Sequence, residues 1–178
     1  KNSNPMAQDF KLVIVGQTSF SDTYFSFLKK MVDGRDDIIF AGAQRGEALE
    51  QLFAHSYLYV SPSMSEGLSI SLLEAMSYGK STLVSDILEN VEATKGDATL
   101  GSVGFVFQNK NISDLTSKMS LLVSNPEVVY KVGAKAKNYV ATYYSWGEIA
   151  SRIDRLYLNT ISIADKQARQ KKFSFARA

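Results

Sequence analysis

The 178-residue sequence contains no cysteine, one histidine, one tryptophan and three prolines. Without thiols there is no disulfide frame, no thiolate nucleophile and no zinc–thiolate site, a pattern that fits a cytoplasmic protein. The lone histidine, His55, gives no basis for a histidine-rich metal centre, and its neighbours offer neither a triad partner nor a metal companion, so it reads as structural. No apolar run approaches the roughly 20 residues that cross a bilayer. Lys1 to Gln8 are polar rather than signal-like. An excess of one charge is also lacking: 20 Lys and Arg against 18 Asp and Glu leave a formal charge of +2, which makes no electrostatic case for nucleic acid. The residues after Gly16, Gln17-Thr18-Ser19-Phe20, fail to complete a G-x-G-x-x-G fingerprint, which weakens a dinucleotide reading.

The apolar fraction of 45% suits one globular domain. Short runs rich in β-branched and aromatic residues recur at Leu12–Val15, Ile38–Ala41, Tyr57–Val60, Thr82–Val84 and Phe105–Phe107. Helical spacing separates them: Tyr24, Leu28, Met31 and Val32, then Leu49, Leu52 and Phe53, and later Ile112, Leu115, Met119 and Leu122. Strands apolar on both faces and joined by helices predict a parallel sheet between two helix layers. The fold class expected is therefore α/β, a Rossmann-like doubly wound parallel sheet with terminal helices. Pro126 opens one of those helices and Ser145 caps another running through Ile149, Ile153 and Leu156. The expected layout is a ragged linker over 1–10, a domain over 11–164, and a basic, solvated tail over 165–178.

In open α/β sheets, ligands bind beyond the carboxyl ends of the strands, where loops lead into helix N-termini. The best such loop here reads YVSPSMSEGLSISLLEAMSYGKSTLVSD. Gly67 has no side chain to obstruct a ligand, and the N–H groups of Gly67, Leu68 and Ser69 are donors at a positive helix end, suited to a diphosphate. Gly79 fits a left-handed helix C-terminus. Glu66 and Glu74 bracket the helix start. Carboxylates only accept, so beside an anion site they are better explained by gripping hydroxyls than phosphate. Hydroxyls plus diphosphate describe a nucleotide sugar.

Glu66-Gly67-Leu68 through Glu74-Ala75-Met76, followed by Gly79 and Ser81-Thr82-Leu83-Val84-Ser85-Asp86, resembles the E-x7-E signature of retaining GT-B glycosyltransferases of family 4. Val13-Ile14-Val15-Gly16, Ile39-Phe40-Ala41-Gly42 and Tyr144-Ser145-Trp146 are similar to further segments of its C-terminal, donor-binding domain. The resemblance covers roughly residues 11 to 160. It implies that Glu66 is the catalytic residue, holding hydroxyls of the donor sugar, and that Gly67, Leu68 and Ser69 hold the diphosphate. It places the ribose diol on Glu74 and the base by Ala43, Gln44 and Arg45, with Gly16 in the strand-end glycine loop. It implies retention of anomeric configuration by front-side attack, no metal or other cofactor, and a nucleotide sugar as the partner. Members also carry an arginine and a lysine on a preceding segment, and an N-terminal acceptor-binding domain. Both are expected to lie outside this chain, which alone would bind nucleotide weakly without turnover. A peripheral contact with a membrane-linked acceptor is compatible with the basic tail.

Other readings compete. Ser71-Leu72-Leu73-Glu74 spells a capping box, Glu66 in a polar turn reads as a solvated charge, and Asp36-Asp37 reads as solvated too. Trp146, Tyr143 and Tyr144 fit helix packing better than sugar stacking, and Lys80 and Arg45 are candidate cations near phosphate. At the level of function, the alternatives are a GT-B epimerase or phosphorylase and a non-catalytic α/β assembly module.

Overall fold

The computed structural model describes residues 10–17 and 22–175; most of the expected linker and the last three residues of the expected tail lie outside them. Strand β1 (Leu12–Val15) leads through α1 (Asp22–Met31) to β2 (Ile38–Gly42) and α2 (Gly46–His55). Strand β3 (Leu58–Ser61), α3 (Ile70–Ser77), β4 (Ser81–Ser85), α4 (Leu88–Thr94) and β5 (Phe105–Phe107) follow. Three helices complete the order, α5 (Ile112–Val123), α6 (Pro126–Tyr143) and α7 (Trp146–Phe175). Every strand pairing is parallel, as helical crossovers require.

The strands form two ladders rather than one. β1 pairs with β2, and β3–β4–β5 form a second sheet, with no ladder between β1 and β3 among the described residues. In a doubly wound order of 3-2-1-4-5-6, β2 and β1 match the first two places and β3, β4 and β5 the last three. The place between them is the one no described strand fills. The parallel α/β class is as expected, but burial on both faces fails at β1, which has one strand neighbour among the described residues and exposes Leu12, Val13 and Val15. Helix α1 shows the same thinning. Its Phe25 meets Phe40 edge-on at 5.4 Å, which turns Tyr24 and Met31, expected in the buried stripe, toward solvent.

The core sits around the second sheet. Leu72 and Met76 of α3, Val84 of β4, Ala93 of α4, and Ala136 and Tyr139 of α6 form one cluster with Val103. Leu83, Phe107, Leu122 and Val129 form another on the opposite face of β4. Gly79, at φ +72°, ends α3, with its N–H on the Met76 carbonyl at 2.9 Å and Lys80 N–H on Ala75 at 3.1 Å. That turn is pressed by α6: a Cβ on Gly133 would lie 2.2 Å from the Gly79 carbonyl oxygen. The caps follow the sequence at Pro126, first residue of α6, and at Ser145, whose Oγ accepts from Glu148 N–H at 3.2 Å.

Helix α7 departs from expectation. Its backbone continues to Phe175, so loss of the apolar period at Asp165 does not end the helix. No glycine or proline follows Gly147, and Ala, Lys, Gln and Arg are good helix formers. Trp146 is exposed instead of packed, as is Ile112 at the start of α5. Among the described residues no helix is long and apolar enough to cross a membrane.

Candidate functional site

The loop from Pro62 to Ser69 leaves the carboxyl end of β3 and enters α3. Its shape follows from hydroxyl chemistry. Ser69 is the N-cap of α3, its Oγ accepting from Leu72 N–H at 3.4 Å. Ser71, which the competing capping-box reading pairs with Glu74, lies inside the first turn, with Oγ 2.8 Å from Tyr59 Oη. Glu74 is exposed and makes no capping bond among the described residues, so its side chain is free for other use. The helix chose the residue three before Leu72 because Ser69 already held extended backbone, at φ −72° and ψ 106°.

No acceptor among the described residues meets the N–H groups of Gly67, Leu68 or Ser69. A Cβ on Gly67 would find nothing within 4 Å, so this backbone is open on its outer side. Glu66 is half-buried; Ser63 Oγ donates to its Oε1 at 2.7 Å. A carboxylate oxygen held this way keeps a fixed heading, with Oε2 left to accept from a ligand. The arrangement provides one oriented acceptor group and several donors at a helix start, the two functions that a sugar hydroxyl and a phosphate need. A cavity of ≈ 180 Å³ opens beside the loop between Pro62, Met64, Phe107 and the Asn109–Leu115 segment.

At the carboxyl end of the other ladder, Gly16 (φ +144°) donates its N–H to the Gly42 carbonyl at 2.9 Å. That bond sets Gly16 against the Ala43–Arg45 loop. Ala43 is exposed, the Gln44 amide turns back onto the Ala41 carbonyl, and Arg45 is the exposed N-cap residue of α2. The sequence candidates thus fall in two groups, Gly16 with residues 43–45 and residues 66–69 with Glu74. No hydrogen bond among the described residues joins the two.

Other candidates are accounted for locally. Lys80 Nζ donates to the Ala54 carbonyl at 2.7 Å, which ties it to α2 rather than to a phosphate. His55 Nδ1 lies 3.0 Å from the Gln51 carbonyl oxygen at the end of α2, a structural contact. Asp37, read as solvated, is gripped by Arg35 at 2.7 and 3.0 Å; the carboxylate raises the guanidinium pKa. Tyr143 Oη donates to Asp97 at 3.0 Å, and Tyr144 packs against the Tyr139 ring. Sequence reasoning missed the polar residues that underlie the Glu66 loop: Ser61, Ser85 and Asn90 are all buried. Their signal was present as hydroxyls and an amide at strand ends and on a helix face where apolar residues belong.

A family model described as glycosyl transferases group 1 matches residues 1–139. The chain is 28% identical over 130 residues to a sulfoquinovosyl transferase of Arabidopsis thaliana, 73% of this chain and 25% of that protein. It is 34% identical over 107 residues to N,N'-diacetylbacillosaminyl-diphospho-undecaprenol alpha-1,3-N-acetylgalactosaminyltransferase of Campylobacter jejuni, 60% of this chain and 27% of that one. The chain therefore spans about a quarter of the length of these relatives. Among solved structures, sucrose-phosphate synthase of Thermosynechococcus elongatus superposes with a TM-score of 0.74 at 19% identity, over 86% of this chain and 39% of its own. Anabaena HepE in complex with UDP-glucose gives 0.72 at 15%, over 88% and 42%. Both share the mixed α/β architecture described above, that of the GT-B glycosyltransferases. By the extent of the family match, this chain belongs to the glycosyl transferases of group 1.

Proposed function

We propose that this chain is the donor-binding domain of a retaining glycosyltransferase of family 4, which passes a hexosyl group from a nucleoside-diphosphate sugar to an acceptor held by a separate N-terminal domain. The observation that carries the reading is the coincidence, in one loop, of an oriented Glu66 carboxylate and the N–H groups of Gly67 to Ser69, which meet no acceptor among the described residues, at the start of α3. Glu66 accepts hydrogen bonds from hydroxyls of the donor sugar, and the amides receive the diphosphate. Glu74 takes the ribose diol, and Gly16 with Ala43, Gln44 and Arg45 frames the base. HepE, similar in fold, is seen with UDP-glucose, which supports this donor class.

The acceptor oxygen bonds to the anomeric carbon on the face from which the diphosphate departs. The bond from that carbon to the phosphate oxygen breaks, and the departing oxygen takes the acceptor's proton. The protein's part is chiefly to stabilise the leaving charge with fixed N–H donors. No metal or other cofactor is assigned. A peripheral contact with a membrane-linked acceptor is part of the same reading, through the basic sequence of residues 165–178, which includes Lys166, Arg169, Lys171 and Lys172, each worth about 1 kcal/mol near an anionic surface. Liposome binding unchanged by removal of residues 165–178 would remove that contact.

The experiment is a calorimetric titration of the chain with UDP, GDP, ADP and CMP, repeated on Glu66→Ala/Glu74→Ala. One diphosphate is expected to bind, with affinity lost in the double variant. No response to any of the four, or a response indifferent to the substitutions, would instead favour a non-catalytic assembly module.

A further inference from the structure

One hydrogen-bond chain ends on the Glu66 carboxylate and a second on the Ser63 carbonyl, and the direction of each follows from proton counting. Ser63 Oγ has one proton and donates it to Glu66 Oε1 at 2.7 Å. Its contact with Ser61 Oγ at 3.1 Å therefore has Ser61 as the donor. The Ser63 carbonyl accepts from Ser85 Oγ. Ser85 has spent its own proton there, so its oxygen accepts from Asn90 Nδ2 at 3.1 Å, and the same amide reaches the Ser85 carbonyl at 3.3 Å. Within α4 the Thr94 hydroxyl donates to the backbone carbonyl of Asn90 at 2.7 Å.

Ser61 and Ser85 both donate into the loop, at Ser63. Ser61 belongs to β3 and Ser85 to β4, so two strands of the second sheet converge on the two polar groups of one residue, Ser63, and Asn90 of α4 backs the second of them through Ser85. Ser85 and Asn90 are 0% and 1% exposed, beyond the reach of competing water, and bonds in such a chain polarise one another. Asn90 Oδ1 is buried with no hydrogen-bond partner among the described residues. An amide kept in the interior with one end unsatisfied is a costly way to pack α4; its other end, on Ser85, is where it acts.

Resting on the reading of Glu66 as the donor-sugar carboxylate, we propose that Ser63, anchored by Ser85 and Asn90, is a positioning residue that commits Oε1 and presents Oε2 to the hydroxyls of the sugar. Ser63 touches no donor atom in this account. It sets the discrimination between a nucleotide sugar and its bare diphosphate, because only the sugar meets Glu66.

The test compares the affinity of the chain for UDP-glucose with that for UDP, or GDP-mannose with GDP should the guanine nucleotide be the one that binds. The ratio is read in the unsubstituted chain and in Glu66→Gln, Ser63→Ala, Ser85→Ala and Ser63→Thr. The unsubstituted chain is expected to prefer the sugar nucleotide about tenfold or more, as a charge-assisted hydrogen bond gives. Glu66→Gln, Ser63→Ala and Ser85→Ala are expected to lower that ratio severalfold while UDP affinity stays within about twofold, and Ser63→Thr, which restores a hydroxyl, to recover it. A ratio lost in Glu66→Gln but kept in both serine-to-alanine variants would overturn the inference alone. No sugar preference in the unsubstituted chain, or one indifferent to Glu66→Gln, would overturn the Glu66 reading together with it. Should Ser85→Ala unfold, Ser63→Ala decides by itself, since Ser63 lies in a loop outside the core. An equal loss of UDP and UDP-glucose in Ser63→Ala would mean general loop damage and would also overturn it.

Discussion

Strand β1 is written LVIV and strand β4 STLVS, yet the more polar of the two is the buried one. All five residues of β4 are buried, whereas three of the four in β1 are exposed. β4 has a strand on either side and helices α3, α4 and α6 in contact. β1 has one strand neighbour, and Phe25 of α1 reaches the partner strand at Phe40. Burial is thus a property of what surrounds a strand, and apolarity only makes burial favourable. The hydroxyls of β4 are tolerated because two are bonded: Ser81 Oγ donates to the Val129 carbonyl and Ser85 Oγ to that of Ser63. Thr82 Oγ1 alone lacks a partner among the described residues, and a Cβ on Gly104 would come within 2.6 Å of it.

The contrast sets the expected size of substitutions. Leu83→Ala, fully buried in β4, should cost about 2–5 kcal/mol and lower Tm by roughly 4–20 °C for a chain of this length, measured by calorimetry. Gly133→Ala puts a methyl 2.2 Å from the Gly79 carbonyl. Because backbone and not a flexible side chain must yield, a loss of about 1–3 kcal/mol is expected from denaturant unfolding. Val13→Ala in β1, 37% exposed, should stay below about 1 kcal/mol; a cost equal to that of Leu83→Ala would erase the distinction between the two sheets.

The smallest effect is electrostatic and belongs to the turn before β5. The Asp97 carboxyl is held below its ordinary value by the Leu100 N–H, with the Tyr143 hydroxyl and Thr99 N–H adding to it against partial desolvation. Its contribution to stability is therefore complete above the unfolded value, near pH 4, and disappears as pH falls through the lower folded value. The Tm gap between the natural chain and Asp97→Asn should be constant from neutral pH down to about 5 and close in more acid solution. A gap independent of pH would refute the assignment.

All five strands sit within a residue or so of where the β-branched runs lie, because short apolar runs between turn residues leave a chain few alternatives. The ends of α3 were legible in part: Gly79 announced the left-handed stop, while the start fell on Ser69 and not Ser71, a choice made by backbone angles that composition does not record. Tyr24, Met31 and Trp146 were misread because periodicity identifies an apolar stripe but not whether another element exists to cover it. At the site, Glu66, Gly67 and Ser69 were conspicuous as a phrase. The Ser61, Ser85 and Asn90 support was not, since it depends on strand register: pairing of Ser61 with Val84 is what brings the end of β4 beneath the Ser63 loop.

Helix α7 has 30 residues and so extends about 45 Å, from a base where Ser145 caps its first turn and Tyr144 packs on the core. Geometry makes it a lever. A tilt of roughly 5° at that base sweeps the far end through about 4 Å, more than the rise of two residues along the helix, so a small change of direction at the first turn is multiplied along the length of the helix.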